Sequence, residues 1–184
     1  MTVMISMLRG VNLGPHNRIK MEELRAVYES LKLQDPRTYV QSGNVLFKTK
    51  ERDEAKLSSR VQDGIEKKFG FRPDVILRTT EELRRAVAKN PFATRKNIDP
   101  SKLLVTFLSE NPSADACGKL LEIDTAPEEL HLVGREIFIY YTNGLARPKF
   151  QWTKAEKILK VMCTGRNWNS VTKMLAMAEE MERE

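Results

Sequence analysis

Two connections in this 184-residue chain carry arginines that a simple turn does not need. The first is Arg9-Gly-Val-Asn-Leu-Gly-Pro-His-Asn-Arg18 and the second is Thr164-Gly-Arg-Asn-Trp-Asn-Ser170. Arginine brings a permanent charge on a planar fork of donors. Backbone amides in a glycine-bearing loop that enters a helix add partial positive charge. The chemistry this implies is the binding of a small anion, phosphate- or nucleotide-like. Gly10-Val-Asn-Leu-Gly14 matches neither the dinucleotide fingerprint nor the Lys-Ser/Thr ending of a P-loop. Turn geometry alone accounts for Gly10, Gly14, Asn12 and Asn17. It does not account for Arg9 and Arg18.

The second connection reads as a corner between two helices. Gly165 stands at the C′ position of one helix, Asn169 or Ser170 caps the next, and Trp168 anchors the core. Arg166 is left over. At a helix N-terminus it opposes the dipole unless it shares an anion or pairs with a carboxylate, and Lys173 lies one turn further on.

Other chemistries find little support. His16, His131, Cys117 and Cys163 have no metal-ligand spacing, so neither a metal nor a cofactor is expected. Ser42 has no histidine and acid in local sequence, and no catalytic nucleophile or general base emerges. The two distant cysteines suggest reduced thiols and a cytoplasmic protein. No apolar run approaches the ~20 residues that span a bilayer, so no membrane partner is expected.

The elements that must hold the loops follow from periodicity. Val3–Leu8 is apolar at nearly every position and reads as a buried strand. Met21, Leu24, Val27, Tyr28 and Leu31 define a helix face. Thr38–Gln41 and Val45–Lys48 are strands joined by Ser42-Gly43-Asn44, with Asp35 before Pro36 as a turn residue. Leu57, Val61, Ile65 and Phe69 mark a second helix, and Asp74–Arg78 a strand. Strand, helix, strand, strand, helix, strand is the split βαβ, ferredoxin-like order. It brings the Arg9 loop and the Ser42–Asn44 turn to the same end of one sheet.

The remainder repeats the pattern with one substitution. Thr79 and Glu82 form a capping box for a linking helix. Leu103–Leu108 is a strand, Ala114–Leu121 a helix, and Glu129–Val133 with Glu136–Tyr141 a hairpin. Thr153 and Glu156 form a second capping box for a helix bearing Ala155, Ile158, Leu159 and Met162. A final helix uses Val171, Met174, Leu175, Ala178 and Met181, standing where the last strand of the unit would be. The expected architecture is α+β, a tandem duplication of two ferredoxin-like (split βαβ) units with an additional C-terminal helix. The N-terminal unit covers 1–78, and the C-terminal unit with its linker helix covers 79–184.

Net charge is +6, and its distribution is uneven. Residues 1–99 carry 20 basic and 13 acidic side chains, and block 144–173 carries seven basic and one acidic. A solvated surface explains this total. A nucleic-acid-binding module built on Lys149, Lys154, Lys157 and Lys160 is the alternative. Recognition of bases by stacking is disfavoured, because Phe47 is the sole aromatic where the second central strand would present several and Val3–Leu8 has none. A protein-interaction scaffold is a third reading, marked by an open sheet edge or apolar patch.

Met7-Leu-Arg-Gly-Val-Asn-Leu-Gly14 running into Ile19-Lys-Met-Glu-Glu-Leu24, then Thr38-Tyr-Val-Gln-Ser-Gly-Asn-Val-Leu-Phe47, then Thr164-Gly-Arg-Asn-Trp-Asn169, together resemble the bacterial family known as domain of unknown function 1697. The resemblance runs over nearly the whole chain and implies a duplicated ferredoxin-like architecture but no activity. Family motif positions fall on Arg9, Gly10, Asn12, Gly14, Tyr39, Gln41, Ser42, Gly43, Asn44, Arg166, Asn167 and Trp168. Pro15-His16 departs from the pattern, where a glycine and a polar residue are expected. The candidate ligand-binding residues are therefore Arg9 and Arg166 as charge donors, Asn12, Ser42 and Asn44 as orienting groups, and Asn167 beside Arg166.

Overall fold

The computed structural model describes residues 1–145 and 148–184, so Arg147 of the basic block lies outside the described residues. They divide into two units, Met1–Arg84 with Lys173–Glu184, and Arg85–Thr172. The described residues are mixed α+β, with two four-stranded antiparallel sheets and six α-helices. No helix among them is long and apolar enough to cross a membrane.

The first unit contains β1 (Thr2–Leu8), α1 (Met21–Ser30), β2 (Gln34–Tyr39), β3 (Asn44–Thr49), α2 (Glu54–Phe69) and β4 (Val75–Thr79). Its sheet runs β2-β3-β1-β4 with every neighbouring pair antiparallel. Met4 and Leu8 of β1 share one core cluster with Val45 and Phe47 of β3, Leu24, Val27 and Tyr28 of α1, and Leu57, Val61 and Ile65 of α2. The helical residues recur every three or four positions, which turns one stripe of each helix to the sheet. Burying each of these side chains contributes about 1.5–3 kcal/mol. The intervening β1 residues Val3, Ile5 and Met7 are buried as well, and this is why the strand reads as continuously apolar. Ser6 and Tyr28 share a buried 2.7 Å hydrogen bond, and burial raises the Tyr28 phenol above its ordinary pKa.

The expected strand Thr38–Gln41 is displaced. β2 begins at Gln34, and Asp35 and Pro36 lie within it rather than in a turn. Pairing of Gln34 with Lys48 and of Arg37 with Leu46 leaves an irregularity that accommodates Asp35 at φ 50°. An edge strand tolerates such a bulge and a proline, because one side has no ladder to break.

α3 (Thr80–Ala88) follows β4 directly, opened by the expected capping box. The Glu82 amide donates to Thr79 Oγ1 at 3.2 Å, and the Thr79 amide donates to Glu82 Oε2 at 2.9 Å. The second unit then has a 3₁₀ turn at Pro100–Lys102, β5 (Leu103–Leu108), α4 (Ala114–Leu121), β6 (Glu129–Val133), β7 (Glu136–Tyr140), α5 (Trp152–Leu159) and β8 (Cys163–Asn167). Its sheet order, β6-β7-β5-β8, matches that of the first unit strand for strand. Leu108, Ile137, Ile139, Ala155, Leu159 and Cys163 belong to its core cluster.

Three expectations fail around β8, for connected reasons. α5 starts at Trp152 after Gln151, which makes no side-chain cap bond, so Thr153 and Glu156 form no capping box. α5 ends at Leu159 with Lys160 as its left-handed cap, so Gly165 is not a helix terminator. Residues 163–167 instead supply the strand that the second unit was expected to lack. Gly165 sits in that strand because Leu104 packs over it; a Cβ there would lie 3.1 Å from Leu104 Cδ2. The cap of α6 (Trp168–Arg183) is Asn167, whose Oδ1 accepts from the Asn169 amide at 3.0 Å. From Lys173 onward α6 belongs to the first unit, where Glu179 and Glu182 pair with Arg84 at 3.0 and 3.3 Å and Glu184 pairs with Arg37.

Candidate functional site

The loop after β1 is built by left-handed residues and by one amide side chain. Gly10, Asn12 and Asn17 have φ of 70°, 56° and 54°. Asparagine adopts that region more readily than other side-chain-bearing residues, which explains its use at both positions. Asn12 then ties the loop together. Its Nδ2 donates to the carbonyls of Ile19 (3.0 Å) and Gln41 (2.9 Å), and its Oδ1 accepts from the Ile19 amide (2.8 Å). The bond to Gln41 joins the loop to the β2–β3 turn. Arg18 Nε donates to the Gly14 carbonyl at 3.1 Å and folds the far side of the loop on itself.

The turn is held as tightly. The Leu8 amide donates to the Gly43 carbonyl at 2.9 Å. Gly43 has φ of 73°, and a Cβ there would sit 2.5 Å from Val11 Cγ2 and 2.8 Å from Leu8 Cβ. Only glycine meets both the dihedral and the close approach. Asn44 is fully buried, and its Nδ2 donates to Ser42 Oγ at 2.7 Å and to the Tyr39 carbonyl at 3.3 Å.

Arg9, Asn12, Ser42 and Asn44 are thus brought together at one end of the first unit's sheet. Their tasks differ. Asn12 and Asn44 direct their amides at backbone and at Ser42, so they position the loops. Arg9 is about 40% exposed at the side chain and lies 3.8 Å from the Asp74 carboxylate, while its amide donates to the Asp74 carbonyl at 2.9 Å. Asp74, just ahead of β4, is a residue that sequence reasoning missed. Its role follows from the pairing of β1 with β4, which no local pattern encodes.

Arg166 and Asn167 lie in the second unit, in β8 rather than at a helix–helix corner. Arg166 is 7% exposed, and its Nη1 donates to Thr164 Oγ1 and to the Gly165 carbonyl, both at 2.8 Å. Loss of solvation holds the guanidinium down at about 10. Asn167 Nδ2 donates to the Ser101 carbonyl at 2.9 Å, pinning β8 to the 3₁₀ turn. Both are engaged in holding their own strand.

The aromatics of the central strands are buried. Phe47 packs on Tyr28 with centroids 5.3 Å apart, and Phe107 and Phe138 are fully covered. Among the described residues no group of His, Cys, Asp or Glu is arranged to hold a metal ion. Cys117 is a free thiol, and Cys163 Sγ donates to Glu156 Oε1 at 3.4 Å.

The chain is similar in fold to the conserved bacterial protein SP0830 from Streptococcus pneumoniae. That likeness has a TM-score of 0.73 and 22% identity, over 97% of this chain and 99% of that one. No curated protein matches the chain. The model of a family described as a protein of unknown function, DUF1697, matches residues 1–138. The chain belongs to the DUF1697 family.

Proposed function

We propose that the chain is a tandem pair of ferredoxin-like units, 1–78 and 79–184, that binds a small anionic, phosphate- or nucleotide-like ligand at the Arg9 loop. The observation that carries this reading is the Asn12 side chain, which binds the arginine loop to the Ser42 turn through the Gln41 carbonyl. On this reading Arg9 supplies charge and Ser42 a hydroxyl at the same end of the sheet. Asn12 and Asn44 hold the geometry. The other two candidates, Arg166 and Asn167, lie in β8 of the second unit, where Arg166 Nη1 and Asn167 Nδ2 donate to backbone carbonyls.

Asp74 sharpens the test. A carboxylate beside Arg9 competes with any incoming anion, so Asp74→Asn strengthens binding of a phosphorylated ligand and Arg9→Ala abolishes it. A thermal-shift panel of phosphorylated metabolites and inorganic pyrophosphate reads both. If every compound shifts wild type and Arg9→Ala equally, the reading is wrong.

A second reading rests on the exposure of Lys149, Lys154, Lys157 and Lys160 in the second unit. Three of them fall at three-residue intervals on or just beyond α5, which presents a basic strip to a polyanion. It predicts retention of RNA or DNA that falls steeply with salt and weakens when the four lysines are neutralised. A salt-insensitive signal dismisses it.

A further inference from the structure

The end of the first unit's sheet opposite the Arg9 loop holds a hollow of about 480 Å³. It forms where the chain leaves α1, enters β2, and leaves β3. Lys32, Lys48, Lys50 and Arg60 all line it. Glu51 is its one carboxylate, and that group is already engaged by Lys56 Nζ at 2.9 Å and by the amides of Arg52 and Asp53. These contacts hold the Glu51 carboxyl below its ordinary pKa, so it stays ionised and bound to its neighbours. Leu31 and Leu33 add apolar wall.

The cations of this hollow differ from the unit's acid-paired arginines. Arg9, Arg37, Arg72 and Arg84 each have a carboxylate partner. Among the described residues Lys32, Lys48 and Lys50 have no ion pair and no side-chain hydrogen bond. Arg60 uses Nη2 on the Leu31 carbonyl at 2.8 Å and has no acid partner among the described residues. Like charges gathered around one concavity repel one another and raise the local potential, and a multivalent anion relieves that repulsion. Lysine ammonium groups serve phosphate as point charges. The volume falls in the range of small-ligand sites.

We propose that this hollow is a second binding site, distinct from the Arg9 loop, for a small molecule bearing two or three linked phosphates. Lys32, Lys48 and Lys50 bind the phosphoryl oxygens. Arg60 closes the α2 side, and the leucines take the apolar part of an organic ligand.

Inorganic triphosphate is the probe. Calorimetric titration at low ionic strength is made on wild type, on Lys32→Ala/Lys48→Met/Lys50→Ala, on the exposed control Lys67→Ala/Lys68→Ala, and on Arg9→Ala. The proposal expects a binding event whose affinity falls about tenfold or more in the first variant and which persists in the other two. Amide shifts on titrating wild type should centre on residues 31–34 and 48–51, a readout that does not depend on any variant folding. No binding by wild type, an equal loss in the control, or a loss confined to Arg9→Ala overturns it. Binding of a single-stranded oligonucleotide without binding of triphosphate also overturns it, in favour of a nucleic-acid surface.

Discussion

Arg78 and Arg166 occupy matching positions in the two sheets. Each lies in the last strand of its unit, opposite the middle of the first, with Arg78 facing Ile5 and Arg166 facing Val105. Each is buried, and each donates Nη1 to the carbonyl of the residue before it at 2.8 Å. The two sheets thus share a register as well as a strand order.

Burial of Arg166 has a pH consequence. Burial depresses its folded-state pKa to about 10, below the ordinary arginine range, so above that pH the unfolded chain binds the extra proton. Stability rises with pH wherever the unfolded state binds more protons. The stability of wild type relative to Arg166→Met should therefore increase as pH is raised from about 9 through 11. Urea unfolding of both proteins across that range checks it, and a flat difference counts against it.

Gly43→Ala combines an unfavourable dihedral with overlap against Val11 and Leu8. The expected loss is about 2–4 kcal/mol. Gly10 has a similar φ of 70°, but a Cβ added there would meet nothing within 4 Å. Gly10→Ala should therefore cost only about 1 kcal/mol. Chemical denaturation of the pair separates the steric part from the conformational part.

Asn12→Ala removes the bonds to Ile19 and Gln41 and should loosen the loop without unfolding the sheet. Hydrogen exchange at the Ile19 amide should accelerate about tenfold or more, equivalent to roughly 1–2 kcal/mol of local stability. Asn12→Asp keeps the acceptor for that amide and should protect it better than alanine does.

Tyr28→Phe leaves the Ser6 hydroxyl buried without its 2.7 Å partner, and should destabilise by about 1–3 kcal/mol. Adding Ser6→Ala should recover part of that loss, because an apolar pair leaves no unmet hydrogen bond. A double-mutant cycle by thermal unfolding measures the coupling.

Local rules carried the elements whose signals are local. α1 and α2 follow from apolar spacing, α3 from Thr79 and Glu82, and β1 and β5 from runs that are buried on both faces. β8 escaped for the opposite reason. Cys163–Asn167 is a short, polar segment, and its strand conformation comes from pairing with Leu104–Leu108 more than fifty positions earlier. Gly165 looked like a helix terminator, but its real requirement is room for Leu104, a residue invisible to any local window.

The same division separates the candidate sites. The residue types of the Arg9 loop, its asparagines and the Ser42-Gly43-Asn44 turn were legible, because left-handed turns restrict which residues serve. Strand pairing alone decided that Asp74 stands beside Arg9 and that Arg166 is buried. It also gathered Lys32, Lys48 and Lys50 with Arg60 around one hollow. The sequence by itself determined where the chain turns and which faces are apolar, since propensity and periodicity act over a few residues. Only the tertiary structure decided which charges meet, because sheet register places distant residues at the same end of the sheet.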